Sequence, residues 1–391
     1  MSYRRIIARS QQFSPKLCMD PCVNLIRYSV RLMIILWSTR YISSILCGLA
    51  VILPFSLGFS MAQAAEDQKT AVKVAQQDPA LKAFQGYMQQ GKPAHAMAAL
   101  KQGAEQGSLP AMMQLGMLMV SQPDPTKQVV GCEWLSVAAE KNYKPAFFQL
   151  AGCYQTGRGR PIDIKKAVAL FDKARLAGDP RALCAYGAAL ARGQGVEKAN
   201  PQEGLALCEQ AAGYAGQGDK DLQAKRIRAS AKAEIGALYL EGKAVERAPD
   251  RAISYLKQAA SEGHAQAAYN LSIMYQLGDG VEKDPVEEEK WALQAVEQRY
   301  PPAFFLLGRL LADQHIDLQS GKLDSPKAKE ALLYLSLAGL FEPDRKRRAF
   351  ANKMTADILK KQPALRGPLL QRVKKFTTQP VRPRAKDTMI K

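Results

Sequence analysis

The chain has 391 residues, 47% of them hydrophobic and 23% charged, and a formal net charge of +19. That hydrophobic share excludes a wholly disordered chain and is enough to bury one large core or two smaller ones. The charge sits at the ends: residues 1–65 hold 7 basic and 1 acidic residue, residues 344–391 hold 15 and 3, and residues 66–343 hold 33 and 32.

The first segment, 1–64, reads as an export signal. Arg27, Arg31 and Arg40 precede the apolar run "YISSILCGLAVILPFSLGFSM", and Ala62 and Ala64 then form a small-x-small cleavage pattern, so the mature chain is expected to begin at Ala65. Met33 is an alternative start that leaves a shorter basic leader. Residues 41–61 are also long enough to remain as an uncleaved anchor. Both readings place the rest of the chain outside the cytoplasm, because the positive charges precede the apolar run and Glu66 and Asp67 come after it. Leu46 stands where a lipoprotein signal needs a small residue, so Cys47 is not read as a lipidation site.

After a linker from residue 65, the stretch "ALKAFQGYMQQGKPAHAMAALKQGAEQG" reads as a degenerate hairpin that caps the N-terminal end by residue 108. A repeat then emerges. "YQTGRG" at 154–159, "LARGQGVEK" at 190–198, "YLEGKAVER" at 239–247 and "YQLGDGVEK" at 275–283 share a glycine turn. Four residues before each opening Tyr or Leu stands Leu150, Tyr186, Ile235 or Leu271, and the series extends to Leu115 and Leu307 at intervals of 35, 36, 49, 36 and 36. A second landmark recurs in step: Ala138, Ala174, Ala211, Ala259, Ala295 and Ala338. Two landmarks at one period predict about six units over 109–343. The long interval holds an insertion near 213–230, in which Asp219 could cap a lengthened helix running through Leu222, Ile227 and Ile235.

Each unit carries two helical stripes. In the fourth, Ile235, Leu238 and Tyr239 fall at i, i+3 and i+4, and Ala252, Tyr255, Leu256 and Ala259 lie on one face of the next segment. Small residues (Gly236, Ala252, Ala259) predict a close crossing, and Gly178 and Gly263 are expected to end second helices in the left-handed conformation. The Gly-x-Gly stretches resemble phosphate-cradling loops only superficially. A helix precedes each one, Lys283 is followed by Asp284 rather than by Ser or Thr, and Asp284-Pro285 reads as the start of another helix. They are read as turns.

The pattern Leu-Gly-x-x-Tyr-x-x-Gly-x-Gly-Val, met nearly throughout by Leu271 to Val281 with Ser272 in place of glycine, resembles the Sel1-like repeat. So do Lys166-Ala167, Lys173-Ala174 and Gly178 in a second helix. The resemblance to this tetratricopeptide-related family implies an all-α fold, a right-handed superhelical solenoid of helix hairpins with caps, and an adaptor role in protein–protein interaction. Residues 344–391 complete the expected organisation as a basic capping helix, with Phe350, Met354 and Ile358 against the last repeat, and a disordered tail, "PVRPRAKDTMIK".

Four cysteines lie beyond the export signal. Antiparallel helices face each other at positions equidistant from their connecting turn, which pairs Cys132 with Cys153 and Cys184 with Cys208; buried free thiols are the alternative. Catalytic chemistry is sparse. His95, His264 and His315 fall in different units, no metal-binding spacing occurs, and no cofactor is expected. A branch of the resembled family is associated with β-lactams, which draws attention to Ser254-x-x-Lys257, yet no Lys-Thr-Gly accompanies it. Recognition is therefore expected on surfaces. Met113, Phe148, Tyr269 and Phe305 stand two residues before the buried landmark and point roughly opposite to it, toward a binding groove or toward a neighbouring repeat. Arg345, Lys346, Arg347 and Arg348 open the basic segment. The expectation is a non-enzymatic periplasmic adaptor, monomeric, that holds an envelope protein and binds no nucleic acid. A cell-wall or membrane-surface binder acting through the basic tail is the alternative, and a β-lactam-binding or hydrolysing protein is a further one.

Overall fold

The computed structural model describes residues 77–379 except 219–220, 318, 322 and 324, so the export signal, Asp219 and the tail from residue 380 lie outside the described residues. Within them the chain forms sixteen α-helices and no β-strand. They pair in sequence order: α1 (Pro79–Gln89) with α2 (Pro93–Glu105), α3 (Leu109–Val120) with α4 (Pro125–Glu140), α5 (Lys144–Thr156) with α6 (Ile164–Leu176), and α7 (Pro180–Arg192) with α8 (Pro201–Ala212). The series continues with α9 (Leu222–Glu241) and α10 (Pro249–Ser261), α11 (Ala265–Leu277) and α12 (Pro285–Glu297), and α13 (Pro301–His315) and α14 (Pro326–Phe341). Beyond these pairs α15 (Arg345–Lys361) packs on α14 and α13, and α16 (Arg366–Thr378) packs on α14. Each hairpin contacts the next, which makes the protein an all-α solenoid.

The sequence dictates where helices start and stop. Asp284 sits in an extended conformation before Pro285, and its Oδ1 accepts from the backbone N–H of Val286 at 2.9 Å and of Glu287 at 3.2 Å. The carboxylate thus satisfies donors that the first turn leaves open, and proline has none to lose. Asp221 caps the long α9 in the same way, through the N–H groups of Gln223 and Ala224. Second helices end on Gly178 and Gly263 at φ of +84° and +93°. In two units the equivalent position is Asn142 at φ +58° or Arg299 at φ +57°. Asparagine adopts this conformation readily, whereas for arginine it costs about 1–2 kcal/mol.

Burial follows the two landmarks. Leu115, Leu150, Ile235, Leu271 and Leu307 are buried, and so are all six recurring alanines. Each leucine withdrawn from water contributes about 1.5–3 kcal/mol, while the alanines let paired helices approach. One close approach is at Gly187 on α7 and Gly204 on α8, where a Cβ added to Gly187 would stand 2.6 Å from the Gly204 carbonyl oxygen. Ser272 takes the glycine position in α11; it is fully buried, and its hydroxyl donates to the Glu288 carbonyl of α12 at 2.9 Å.

The glycine turns are packing devices between repeats. A Cβ on the second glycine of each Gly-x-Gly would strike the start of the preceding unit's second helix: the Gln128 carbonyl from Gly159, the Ile164 carbonyl oxygen, 2.9 Å away, from Gly195, and the Pro249 ring from Gly280. These loops seat one repeat on another, and their glycines are needed for that contact.

At the C-terminal end α15 and α16 close the array. Ala351, Ile358 and Leu369 are buried, and the Phe376 ring meets Phe304 edge-on at 5.6 Å. Arg299 holds α16 in place: its guanidinium lies over Phe376 and donates to the carbonyls of Phe376 and Gln379 at the helix end, where a cation suits the exposed carbonyl dipoles. These contacts offset the backbone cost at Arg299.

Candidate functional site

The aromatic side chains expected to line one groove are divided by the structure. Met113 is half-buried, packed on the cores around Leu115 and Leu135. Tyr269 and Phe305 are covered from within the chain by α15. The Tyr269 hydroxyl accepts from the Arg347 guanidinium at 3.1 Å, that guanidinium lies 6.0 Å from the centre of the Phe305 ring, and Phe350 meets Phe305 edge-on at 5.9 Å. Arg347 also pairs with the fully buried Glu342 at 3.2 Å. Burial and the Tyr269 and Glu342 contacts act in opposite directions on its charge, and the contacts win, raising its pKa. Arg347 is thus an internal strut. Arg345 and Lys346 are exposed and Arg348 is half-buried.

Phe148 alone of the four borders an open groove of about 850 Å³. Its ring packs on Phe171 at 5.5 Å and carries the Arg181 guanidinium 4.5 Å above it. Ile164, Val168 and Phe171 of α6 continue this side. Cys184, Ala185, Ala188 and Ala189 of α7 supply the middle, and Arg226, Ile227, Ser230 and Glu234 of α9 supply the other side. The reason for the hollow is visible in the repeat register. Two residues before the landmark, where four units place Met113, Phe148, Tyr269 or Phe305, α7 places Cys184 and α9 places Ala233. The insertion adds the rest: α9 has 20 residues where α7 has 13, and its extra N-terminal turns bring Leu222, Gln223 and Arg226 to the rim.

The two ends of the groove differ electrostatically. Arg192, at the C-terminal end of α7, reaches α9 and binds Glu234 at 2.5 Å and Glu241 at 2.7 Å. The hydrogen bond from Arg192 holds the Glu241 carboxyl below the usual carboxylate range despite partial burial. Arg192 lines the groove and is taken up by these two carboxylates, and Lys243 acts on Glu241 as well, so this end offers no unpaired cation. At the other end Arg181 is neutralised by Asp179 at 2.6 Å, while Arg226 is exposed and has no acid partner among the described residues. That end is cationic. Between them Gln155, Gln194, Gln223 and Ser230 face the groove with side-chain polar groups bonded to no other described residue.

Below this surface lies a covalent staple. Cys184 and Cys208 form a disulfide with Cα atoms 4.1 Å apart, joining α7 to α8, and Cys132 and Cys153 form another with Cα atoms 6.4 Å apart, joining α4 to α5. The remaining chemistry is scattered. His95 meets the Tyr87 ring at a tilt, His264 caps α11 by accepting from the Ala267 N–H at 3.2 Å, and His315 ends α13. Burial lowers the pKa of His264, opposed by Glu234. Ser254 and Lys257 are exposed on α10, with the ammonium 5.6 Å from the Tyr275 ring centre, and neither lines the groove. Among the described residues no group of three or more His, Cys, Asp or Glu is placed to hold a metal.

Residues 146–179, 180–212, 229–264 and 265–300 each match the model of the Sel1 repeat. The chain contains four tandem Sel1 repeats. The groove spans three of its four matched repeats, and the extra turns of α9 at 222–228 fall between two of them. No curated protein matches the sequence. Among solved structures it is similar to a Sel1 repeat protein from Oxalobacter formigenes, with 25% identity over 70% of this chain and 98% of that one and a TM-score of 0.45. It is similar also to a protective antigen of uropathogenic Escherichia coli that displays the same repeat fold, with 19% identity over 75% and 69% and a TM-score of 0.32. An immunity protein from Pseudomonas aeruginosa is a further similar structure, with 20% identity over 64% and 81% and a TM-score of 0.35. Four Sel1 repeats in tandem suggest an adaptor for protein–protein interaction.

Proposed function

We propose that this Sel1 repeat protein is an exported, non-enzymatic adaptor that works in the periplasm of a Gram-negative bacterium and holds an envelope protein in the groove between α5, α7 and α9. The observation that carries this reading is the groove itself: a preformed hollow with an apolar middle and polar groups that have no partner among the described residues. Rigid concave surfaces of this kind recognise a partner by shape at little ordering cost. The leader of 1–64 and the two disulfides support export, because structural disulfides persist in oxidising compartments.

Crosslinking and capture from intact envelopes tests the proposal, comparing the full chain with one ending at Gln379. Truncation must stop there and not at Asp344, since the shorter chain loses Ile358 and Leu369 from its core. Recovery of the same envelope protein by both chains is the expected result. A second reading rests on the exposed basic residues of α15 and α16, among them Arg345, Lys346, Lys353, Lys360, Arg366 and Lys374. It makes the protein a binder of anionic wall or lipid surfaces, with binding that collapses as salt is raised past about 0.1 M, where the screening length is about 10 Å. Recovery of wall or lipid material in place of a protein would favour that reading.

A further inference from the structure

We infer that the groove takes a short extended peptide segment in one direction, with apolar residues over α7 and an acidic group at the Arg226 end. This rests on the adaptor reading and specifies its partner.

The groove's span sets the length of the segment. Arg181 and Arg192 bracket the groove along α7 and are eleven residues apart, or about 17 Å at 1.5 Å per residue. An extended chain covers that distance with about five residues at 3.3 Å each. The backbone state is set by the lining. Gln155, Gln194, Gln223 and Ser230 offer both donors and acceptors and are bonded to no other described residue. A helix satisfies its own backbone groups and has no use for such partners, whereas an extended strand presents N–H and C=O groups that need them. Between these side chains Phe148, Val168, Phe171 and Ile227 meet Ala185 and Ala188, which leaves room for apolar side chains of the ligand.

Charge sets the direction. Arg192 binds Glu234 and Glu241, and Arg192 on α7 therefore lies level with that part of α9, which puts Arg226 level with Arg181 at the opposite end. Arg181 is already paired with Asp179, so the cation available to a ligand is Arg226. The Arg192 end has no cation left to bind an anion, and the Arg226 end has one. This polarity also rules out the chain's own tail from residue 380, "PVRPRAKDTMIK", whose basic residues outnumber its single acid.

The test is a selection from a random 12-residue phage library on the full chain, with Ala185→Trp and, separately, Ser230→Trp as groove-filled variants. Circular dichroism checks that both variants fold; each site borders open space, and Ser230 is exposed. Peptides enriched on the parent are expected to carry Asp or Glu beside an apolar run and to bind either filled variant at least tenfold more weakly by fluorescence anisotropy. Arg226→Glu is expected to lose tenfold or more for the same peptide and to regain binding when the peptide's acid is replaced by Lys. Enrichment of neutral or basic peptides, binding indifferent to both filled variants, absence of the charge swap, or no enrichment at all overturns the inference. Binding that survives both filled variants removes the groove but leaves the adaptor reading intact. Only failure of the envelope capture removes that reading.

Discussion

Breaking the Cys184–Cys208 bond should loosen one repeat and leave the others alone. The bridge closes a loop of 24 residues that runs from Cys184 within α7 through the glycine turn to Cys208 within α8. A cross-link of this span removes chain entropy from the open state worth about 3 kcal/mol. In a solenoid each unit contacts only its neighbours, so the loss stays local and global melting is a poor readout. Hydrogen exchange read by mass spectrometry on Cys184→Ser/Cys208→Ser resolves it. Three kilocalories per mole corresponds to an exchange rate about a hundredfold higher in peptides from 180–212, because each 1.4 kcal/mol is a factor of ten. Peptides from α11 and α12 should be unchanged. Equal protection in the two proteins, or four alkylatable thiols in the denatured and unreduced parent, would refute the reasoning.

Other consequences rest on single contacts. Gly187→Val must push α7 from α8, since its Cβ would stand 2.6 Å from the Gly204 oxygen; a loss of about 1–3 kcal/mol is expected in urea unfolding monitored by a probe in that unit. His264 has its pKa lowered by burial, so the folded state favours the neutral ring, whose Nδ1 must be unprotonated to accept from Ala267. Its contribution is therefore complete above the ordinary histidine value of about 6.5 and is lost as pH falls below it; His264→Asn, which keeps a cap, should flatten that part of the stability–pH curve. Arg347→Ala strands the buried Glu342 carboxylate and uncovers Tyr269 and Phe305, so α15 should be cut by limited proteolysis several times faster. Arg347→Ala/Glu342→Gln should recover most of the resistance, because the uncompensated charge is then gone.

Much of the fold is legible in the sequence because the repeat writes its boundaries in residues with one conformational use. Asp284-Pro285 marks a start, Gly178 and Gly263 mark ends, and Leu271 and Ala295 recur on the buried faces. The pairing of Cys184 with Cys208 needs only hairpin symmetry. The features that are not legible depend on contacts between units. Tyr269 and Phe305 have the same register as Phe148, and only the position of α15 decides that they lie under a C-terminal helix while Phe148 borders the groove. The α16 helix is hard to read because it is basic and poor in apolar residues, yet Leu369, Val373 and Phe376 at i, i+4 and i+7 are a usable signal. Arg299 carries a signal too: it replaces the glycine found 36 residues earlier at Gly263, a departure that makes sense once its side chain is seen to clamp α16.

The position of the groove is set by the array's two departures from regularity. A strictly repeating solenoid places equivalent side chains at equal spacing, so any hollow between adjacent first helices would recur along its length. Here the register position is small at Cys184, and the next first helix is lengthened by the insertion, so hollow and wall coincide at the third and fourth units. At the C-terminal end the corresponding surface is filled by Arg347 and Phe350. The disulfide under Cys184 then has a direct physical role. A cysteine leaves less side chain in the groove than an aromatic residue and buries less apolar area, and the bond to Cys208 replaces the lost packing with a covalent restraint. The hollow and the staple are two consequences of one residue choice, and restoring an aromatic at position 184 should close the groove and abolish the staple together.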